Sequence, residues 1–371
     1  MTSTLFQPIN LRELRLPNRI MISPMCQYSA TDGNANDWHL IHLGQLALGG
    51  AGLLCVEASA VEAIGRITPG CLGLYSDDNE AAFRWLMTSL RRHSDMPLAI
   101  QLAHAGRKGS SHSPWDGGKL IEPKAGGWEP IAPSALPFSP SEPPPREMNA
   151  ADFDRVREAF VHAARRAAAV GFDAIELHAA HGYLLHQFLS PLANRRSDRY
   201  GGTLENRMRF PLEVFSAMRK VWPEAKPFGV RVSASDWIEG GWDLPQTIEF
   251  ATRLKTLGCD WIDASSGGLA PEQKIPLGPG YQVPFAAAIR KQVGIPTVAV
   301  GLITEPRQAE DIIAAGGADM VALARGMLFD PHWAWRAAAE LGGEVRAPKQ
   351  YWRAAPRGAE SIFSDAKIGQ R

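Results

Sequence analysis

Three side chains able to polarise an oxygen or move a proton fall within six residues, in the run His178-Ala-Ala-His181-Gly-Tyr183. The run follows the apolar stretch Phe172–Leu177, which reads as a short buried strand. Two imidazoles at a strand's end can hold and polarise an oxygen. A phenol, with an ordinary pKa of about 10, stays protonated at neutral pH and can deliver its proton. That equipment suits the reduction or rearrangement of a substrate activated by a carbonyl. Structural hydrogen bonding is the rival reading for each histidine. No cysteine or carboxylate joins the pair at a metal-ligand spacing, so no metal site is expected.

The elements that must position these groups alternate in type. Strands are predicted over Arg19–Ser23, Gly52–Glu57, Pro97–Leu102, Asp173–His178, Pro227–Ser233, Asp260–Ser265, Thr297–Gly301 and Asp319–Ala324. Each is an apolar run without internal proline, as buried parallel strands require. Helices are predicted between them, near 38–48, 79–93, 150–170, 204–221, 244–257, 283–292, 306–315 and 331–341. The clearest, Ala150–Val170, has Phe153, Val156, Phe160, Ala163 and Ala167 at helical spacing, Asn149 to cap its start and Gly171 to stop it. Eight strand–helix units predict one α/β domain over 1–371, a (β/α)8 TIM barrel. A doubly wound open sheet is the alternative, but no GxGxxG follows an early strand. The connection 105–147 is long and proline-rich and leaves the third strand. It reads as a capping loop over the site, against the plainer reading of a surface insertion.

Barrel chemistry gathers at the C-terminal strand ends. There stand Ser23, Pro24, Met25, Cys26 and Tyr28 after strand one, Glu57 and Ala58 after strand two, and Gln101 through Lys108 after strand three. Arg231 lies on strand five, Gly301 ends strand seven, and Ala324 and Arg325 end strand eight. Gln101 and Arg231 suit the polar edge of a flat heterocycle, or pair with other polar groups inside the barrel. Gly301, Ala324 and Arg325 follow the two strands where barrels bind phosphate. A ring at one end and a phosphate at the other describe flavin mononucleotide.

These residues and their ordered blocks resemble the old yellow enzymes, in the bacterial subgroup of xenobiotic reductase A-like and thermophilic-like ene reductases. The blocks are Ser23-Pro24-Met25-Cys26, Gln101-Leu-Ala-His104-Ala-Gly-Arg107-Lys108, Glu176-Leu-His178-Ala-Ala-His181-Gly-Tyr183, Asp198-Arg-Tyr-Gly-Gly202, and Gly280-Tyr-Gln282. The resemblance implies an FMN-dependent NADPH dehydrogenase that reduces activated alkenes by ping-pong hydride transfer. It implies that Ser23, Pro24, Met25, Cys26, Ala58, Gln101 and Arg231 surround the flavin, and that Gly301, Ala324 and Arg325 bind its phosphate. His178 and His181 would hold the substrate oxygen, Tyr183 would donate the proton, and Tyr28 and Lys108 would border the substrate. Arg353 matches an arginine that reaches a neighbouring subunit's site, so a homodimer or homotetramer is implied, with 342–371 as an interface tail. Nitro compounds, nitrate esters or quinones are the alternative acceptors.

Composition sets outer bounds. The chain of 371 residues is 45% hydrophobic and 21% charged, with 39 basic and 39 acidic residues, so its net charge is zero. No long-range attraction draws it to nucleic acid or an anionic membrane. No apolar run is long enough to span a bilayer. The four cysteines show no CxxC pair, and no secretory signal is visible at the N-terminus, which predicts a reduced, cytoplasmic protein.

Overall fold

A computed structural model describes residues 3–367. Eight parallel strands close a barrel: β1 (Ile20–Ile22), β2 (Leu53–Ala60), β3 (Leu98–Ala103), β4 (Ala174–Ala179), β5 (Phe228–Ser233), β6 (Trp261–Ser265), β7 (Thr297–Ala299) and β8 (Met320–Leu323). Each strand pairs with its neighbours in sequence, and β8 pairs with β1 through Val321 and Ile20. The fold is therefore the predicted (β/α)8 barrel and not the open sheet.

Five of the predicted helices, starting at Asp37, Asp77, Ala150, Leu204 and Leu244, carry a buried stripe and a side-chain cap at the N-terminus. In Ala150–Val170 the Asn149 side chain accepts from the Asp152 N–H, and Asp152 returns the bond to Asn149. Gly171 ends the helix in the left-handed region at φ 100°. Phe153, Val156, Phe160, Ala163 and Ala167 are buried against the sheet. Burying each large apolar side chain contributes roughly 1.5–3 kcal/mol.

Short elements escape prediction. A hairpin of Ile9–Leu11 and Leu14–Leu16 precedes the barrel and joins its inner core: Leu11 and Leu16 cluster with Met21, Leu53, Ala99, Ala174, Trp261, Val298 and Met320. Its turn lacks the usual glycine or asparagine. Arg12 adopts φ 50° there, tied by its guanidinium to Asp260, the Glu224 carbonyl and the Gly258 carbonyl. Tertiary bonds supply what the turn sequence does not. The helices Leu184–Leu189 and Arg325–Phe329 are too short to show periodicity.

The long connection is built from turns at Gly106–Lys108, Pro114–Asp116 and Pro123–Ala125 and a two-residue parallel ladder, Ile131–Ala132 with Arg146–Glu147. Arg107 ties it down, donating to the carbonyls of Leu136, Pro137 and Leu269. The tail packs on its own chain as far as it is described. Val345 bridges to Phe363, whose ring meets Trp335 edge-on. Residues 368–371 of the expected interface tail lie outside the described residues.

Candidate active site

Strand β4 carries His178 at its end and hands the chain to His181 and Tyr183. His178 Nε2 lies 3.4 Å from His181 Nδ1, and its ring centroid is 5.1 Å from that of Tyr183, edge to face. Burial, followed by the Arg231 charge, holds both imidazoles well below their ordinary range. Both are neutral at pH 7. Burial likewise pushes the Tyr183 phenol up, so it keeps its proton. The arrangement offers neutral hydrogen-bond donors beside a protonated phenol.

His181 is held on every side. It adopts φ 58°, a costly backbone for a non-glycine residue. Its N–H donates to Ser233 Oγ, its carbonyl accepts from Lys108 Nζ at 2.9 Å, and its Nε2 lies 2.7 Å from Ser265 Oγ. Gly182 and Gly268 let the loops after β4 and β6 meet backbone to backbone. A Cβ at Gly182 would stand 2.1 Å from the Gly268 carbonyl oxygen. Gly182 N–H donates to His186 Nδ1, and His186 Nε2 reaches Asp236, which also accepts from Ser190 and the Trp242 N–H. Gln187 donates to the Gly182 carbonyl.

Below this cluster, polar groups share two levels of the barrel interior. Gln101, Glu176, Gly229 and Trp261 are in register on β3 to β6. Gln101 Nε2 donates to Glu176 Oε1 at 2.8 Å, and Trp261 Nε1 donates to Glu176 Oε2 at 3.3 Å. Trp261 reaches that far because Gly229 has no side chain; a Cβ there would lie 1.9 Å from the indole. One level higher, His178, Arg231 and Asp263 are in register, and Arg231 Nε lies 3.2 Å from Asp263 Oδ2. The polar-pair alternative for Gln101 and Arg231 thus holds alongside any outward role. Four buried atoms here lack hydrogen-bond partners among the described residues: His178 Nδ1, Arg231 Nε and both carboxylate oxygens of Asp263.

The chain after β1 forms one wall. Ser23 is buried and donates its N–H to the Leu323 carbonyl, while Met25 packs on the core. Glu57 accepts from the Gln27 N–H at 3.1 Å and faces His39 Nε2 at 3.7 Å. Burial raises the Glu57 carboxyl to about 8 and, with Glu57 beside it, pushes the Cys26 thiol well up. The β2 ladder shifts register between Val56 and Ser59, the kink that carries Glu57 and Ala58. Tyr28 stands at φ 51° with its ring 5.5 Å from that of Trp115 in the long connection.

At the other end, Gly301 has φ 112°, and a Cβ there would press within 3.0 Å of Gln282 Nε2. Arg325 opens the helix Arg325–Phe329 with Ala324 before it. The first N–H groups of such a turn have no carbonyl within the helix.

Lys108 stands beside the cluster and Arg353 lies outside it. Lys108 Nζ donates to the carbonyls of His181 and Gly268 and lies 4.9 Å from the Tyr183 ring centroid, so it braces the cluster. Arg353 is exposed in the turn Lys349–Ala354 and bonds to no member of the cluster among the described residues. In the long connection, Trp128 Nε1 donates to the Ile64 carbonyl. Ser233, Ser265, His186, Asp236 and Trp261 are the supports that sequence reading misses. The serines stand at strand ends, which is a usable signal; Asp236 and His186 carry none. A surface cleft of about 590 Å³, lined by Met208, Leu212, Lys220 and Leu257 among others, shares no residue with this cluster.

Residues 4–344 match the NADH:flavin oxidoreductase / NADH oxidase family. The chain is 46% identical over 355 residues to an NADPH dehydrogenase of Geobacillus thermodenitrificans (strain NG80-2), covering 95% of this chain and 99% of that protein. It is 43% identical over 355 residues to an NADPH dehydrogenase of Bacillus subtilis (strain 168), with the same coverage of both. Among solved structures it is similar to morphinone reductase in complex with tetrahydroNAD, at a TM-score of 0.76 and 26% identity, covering 100% of this chain and 98% of that one. The chain therefore belongs to the NADH:flavin oxidoreductase / NADH oxidase family, and is an FMN-dependent oxidoreductase of the old yellow enzyme type.

Proposed function

We propose that the chain is an ene reductase. It reduces the activated C=C bond of α,β-unsaturated carbonyl or nitro compounds, with NADPH as reductant, in a ping-pong cycle. The residues present fit FMN. His178 Nδ1 is buried without a hydrogen bond, Arg231 Nε faces Asp263 at 3.2 Å without one, and Gly301 ends β7 where a side chain would crowd Gln282 and Tyr281. Ser23, Pro24, Met25, Cys26, Ala58, Gln101 and Arg231 would hold the ring, and Gly301, Ala324 and Arg325 the phosphate. FMN supplies the hydride chemistry when bound.

The chain's own residues do the rest. His178 and His181 donate to the substrate's carbonyl or nitro oxygen and stabilise the negative charge that grows there. Neutral imidazoles serve as donors without giving up a proton. Tyr183 passes its phenolic proton to the α carbon. Tyr28 and Lys108 border the substrate, and Arg353 would come from the neighbouring subunit of a homodimer or homotetramer. The zero net charge and free thiols suit a reduced, cytoplasmic setting.

The observation that carries this reading is the neutral histidine pair at 3.4 Å beside a protonated tyrosine. Anaerobic single-turnover reduction with a panel of enones, maleimides, nitroalkenes, nitrate esters and quinones tests it. The enones and nitroalkenes should give the highest rate constants for reoxidation of the reduced enzyme, with NADPH oxidised before acceptor binds. Equal or higher values for nitrate esters or quinones would overturn the alkene assignment.

A further inference from the structure

We propose that Glu176 is a positioning residue for the cofactor: it fixes the Gln101 amide so that the amide oxygen, not the nitrogen, faces the barrel mouth. This rests on the proposed function, in which Gln101 borders the flavin ring.

The two ends of a glutamine amide are nearly equal in size and opposite in hydrogen bonding. Something must decide which end meets a ligand. Gln101 and Glu176 are register partners on β3 and β4, and both are buried. Gln101 Nε2 donates to Glu176 Oε1 at 2.8 Å, so the amide nitrogen is directed into the barrel. The opposite end of the amide is left for the mouth.

Glu176 is itself held in an accepting role. Trp261 Nε1 can only donate, and it occupies Oε2 at 3.3 Å. The indole reaches β4 across Gly229 on β5, where a side chain would block it. Burial and Asp263 push the Glu176 carboxyl up to about 8, and the Arg231 charge and the bonds from Gln101 and Trp261 oppose that push. With one donor on each oxygen, the carboxyl is arranged to receive from Gln101. The chain thus spends a buried acid, a tryptophan and a glycine on the direction of one amide.

A double-mutant cycle read by FMN affinity and by the flavin midpoint potential tests this. FMN affinity comes from fluorescence quenching on titration into apoprotein. E176Q nearly preserves shape but lets residue 176 donate, so it releases the amide to flip. FMN should bind about tenfold more weakly to E176Q, the loss of one well-directed hydrogen bond. The potential should shift with it. In the Q101L background, E176Q should change neither quantity. E176D keeps a buried carboxyl but withdraws it from Gln101, and should match E176Q; it serves if E176Q does not fold.

If Q101L binds FMN as the wild type does, Gln101 does not face the cofactor, and both readings fall. If Q101L weakens FMN but E176Q and E176D have no effect, the Gln101 reading stands and the positioning role is wrong. The positioning role is equally wrong if their effect is the same in both backgrounds.

Discussion

The two ends of the barrel handle charge in opposite ways. At the N-terminal end one device occurs three times. Asp173, Asp260 and Asp319 each precede a strand, and each accepts the first N–H of the strand before it, from Leu98, Phe228 and Thr297. Each also meets arginine: Arg91, Arg12 and Arg290. Each carboxylate there meets a backbone N–H and an arginine, and the hairpin of Leu11 and Leu16 seals the apolar interior. At the C-terminal end the groups are buried but unfinished. Among the described residues Asp263 has no hydrogen bond to either oxygen, and His178 Nδ1 and Arg231 Nε lack partners. Glu57 is enclosed with its carboxyl raised to about 8. One end is arranged to be stable by itself, and the other is arranged for a ligand to complete it.

Breaking either end should separate activity from stability. The largest effect is expected at the open end. In the proposed ene reductase, Tyr183→Phe should lower the rate of alkene reduction by about 10²-fold, because it removes the proposed proton donor. Flavin reduction by NADPH should be nearly unchanged, and stopped-flow measurement of each half-reaction separates the two. At the closed end Asp260→Asn should do the reverse. It weakens charge-assisted bonds to Arg12 and the Phe228 N–H, and should lower stability by about 2 kcal/mol in denaturant unfolding. Its kcat should stay within error of wild type.

A smaller effect sharpens the contrast through pH. Glu57 has a folded pKa near 8, above its ordinary 4.5. The folded state therefore holds a proton that the unfolded state releases between these values, and stability falls as pH rises through that window. Glu57→Gln should remove that slope. Tm measured from pH 5 to 8 for both proteins checks it, and parallel curves would refute the assignment.

Much of the fold is legible in the sequence because burial imposes period. All eight barrel strands lie within a few residues of the apolar runs that predict them, since a strand covered on both faces reads as such a run. His178, His181 and Tyr183 are legible because donors at a strand end are rare and close in sequence. The hairpin turn at Arg12 is not, because its left-handed backbone is held by residues more than two hundred positions away. Glu176 sits inside a family-like block without a visible role, since its partners Gln101 and Trp261 come from two other strands. Sequence spacing reports a residue's own element well. It cannot report which side chains the closing of a barrel will bring face to face.

The meeting of Gly182 with Gly268 also bears on how this pocket can be reshaped. Neither position accepts a side chain, because each would collide with the backbone of the opposite loop. The wall behind His181 is thus fixed in place and offers no handle for directed change. The facing wall is different. Trp115 is exposed on the long connection and touches Tyr28 ring to ring, and Phe138 rests on Lys108. Libraries meant to admit bulkier acceptors belong on Trp115, which bonds to no part of the His178–Tyr183 cluster among the described residues.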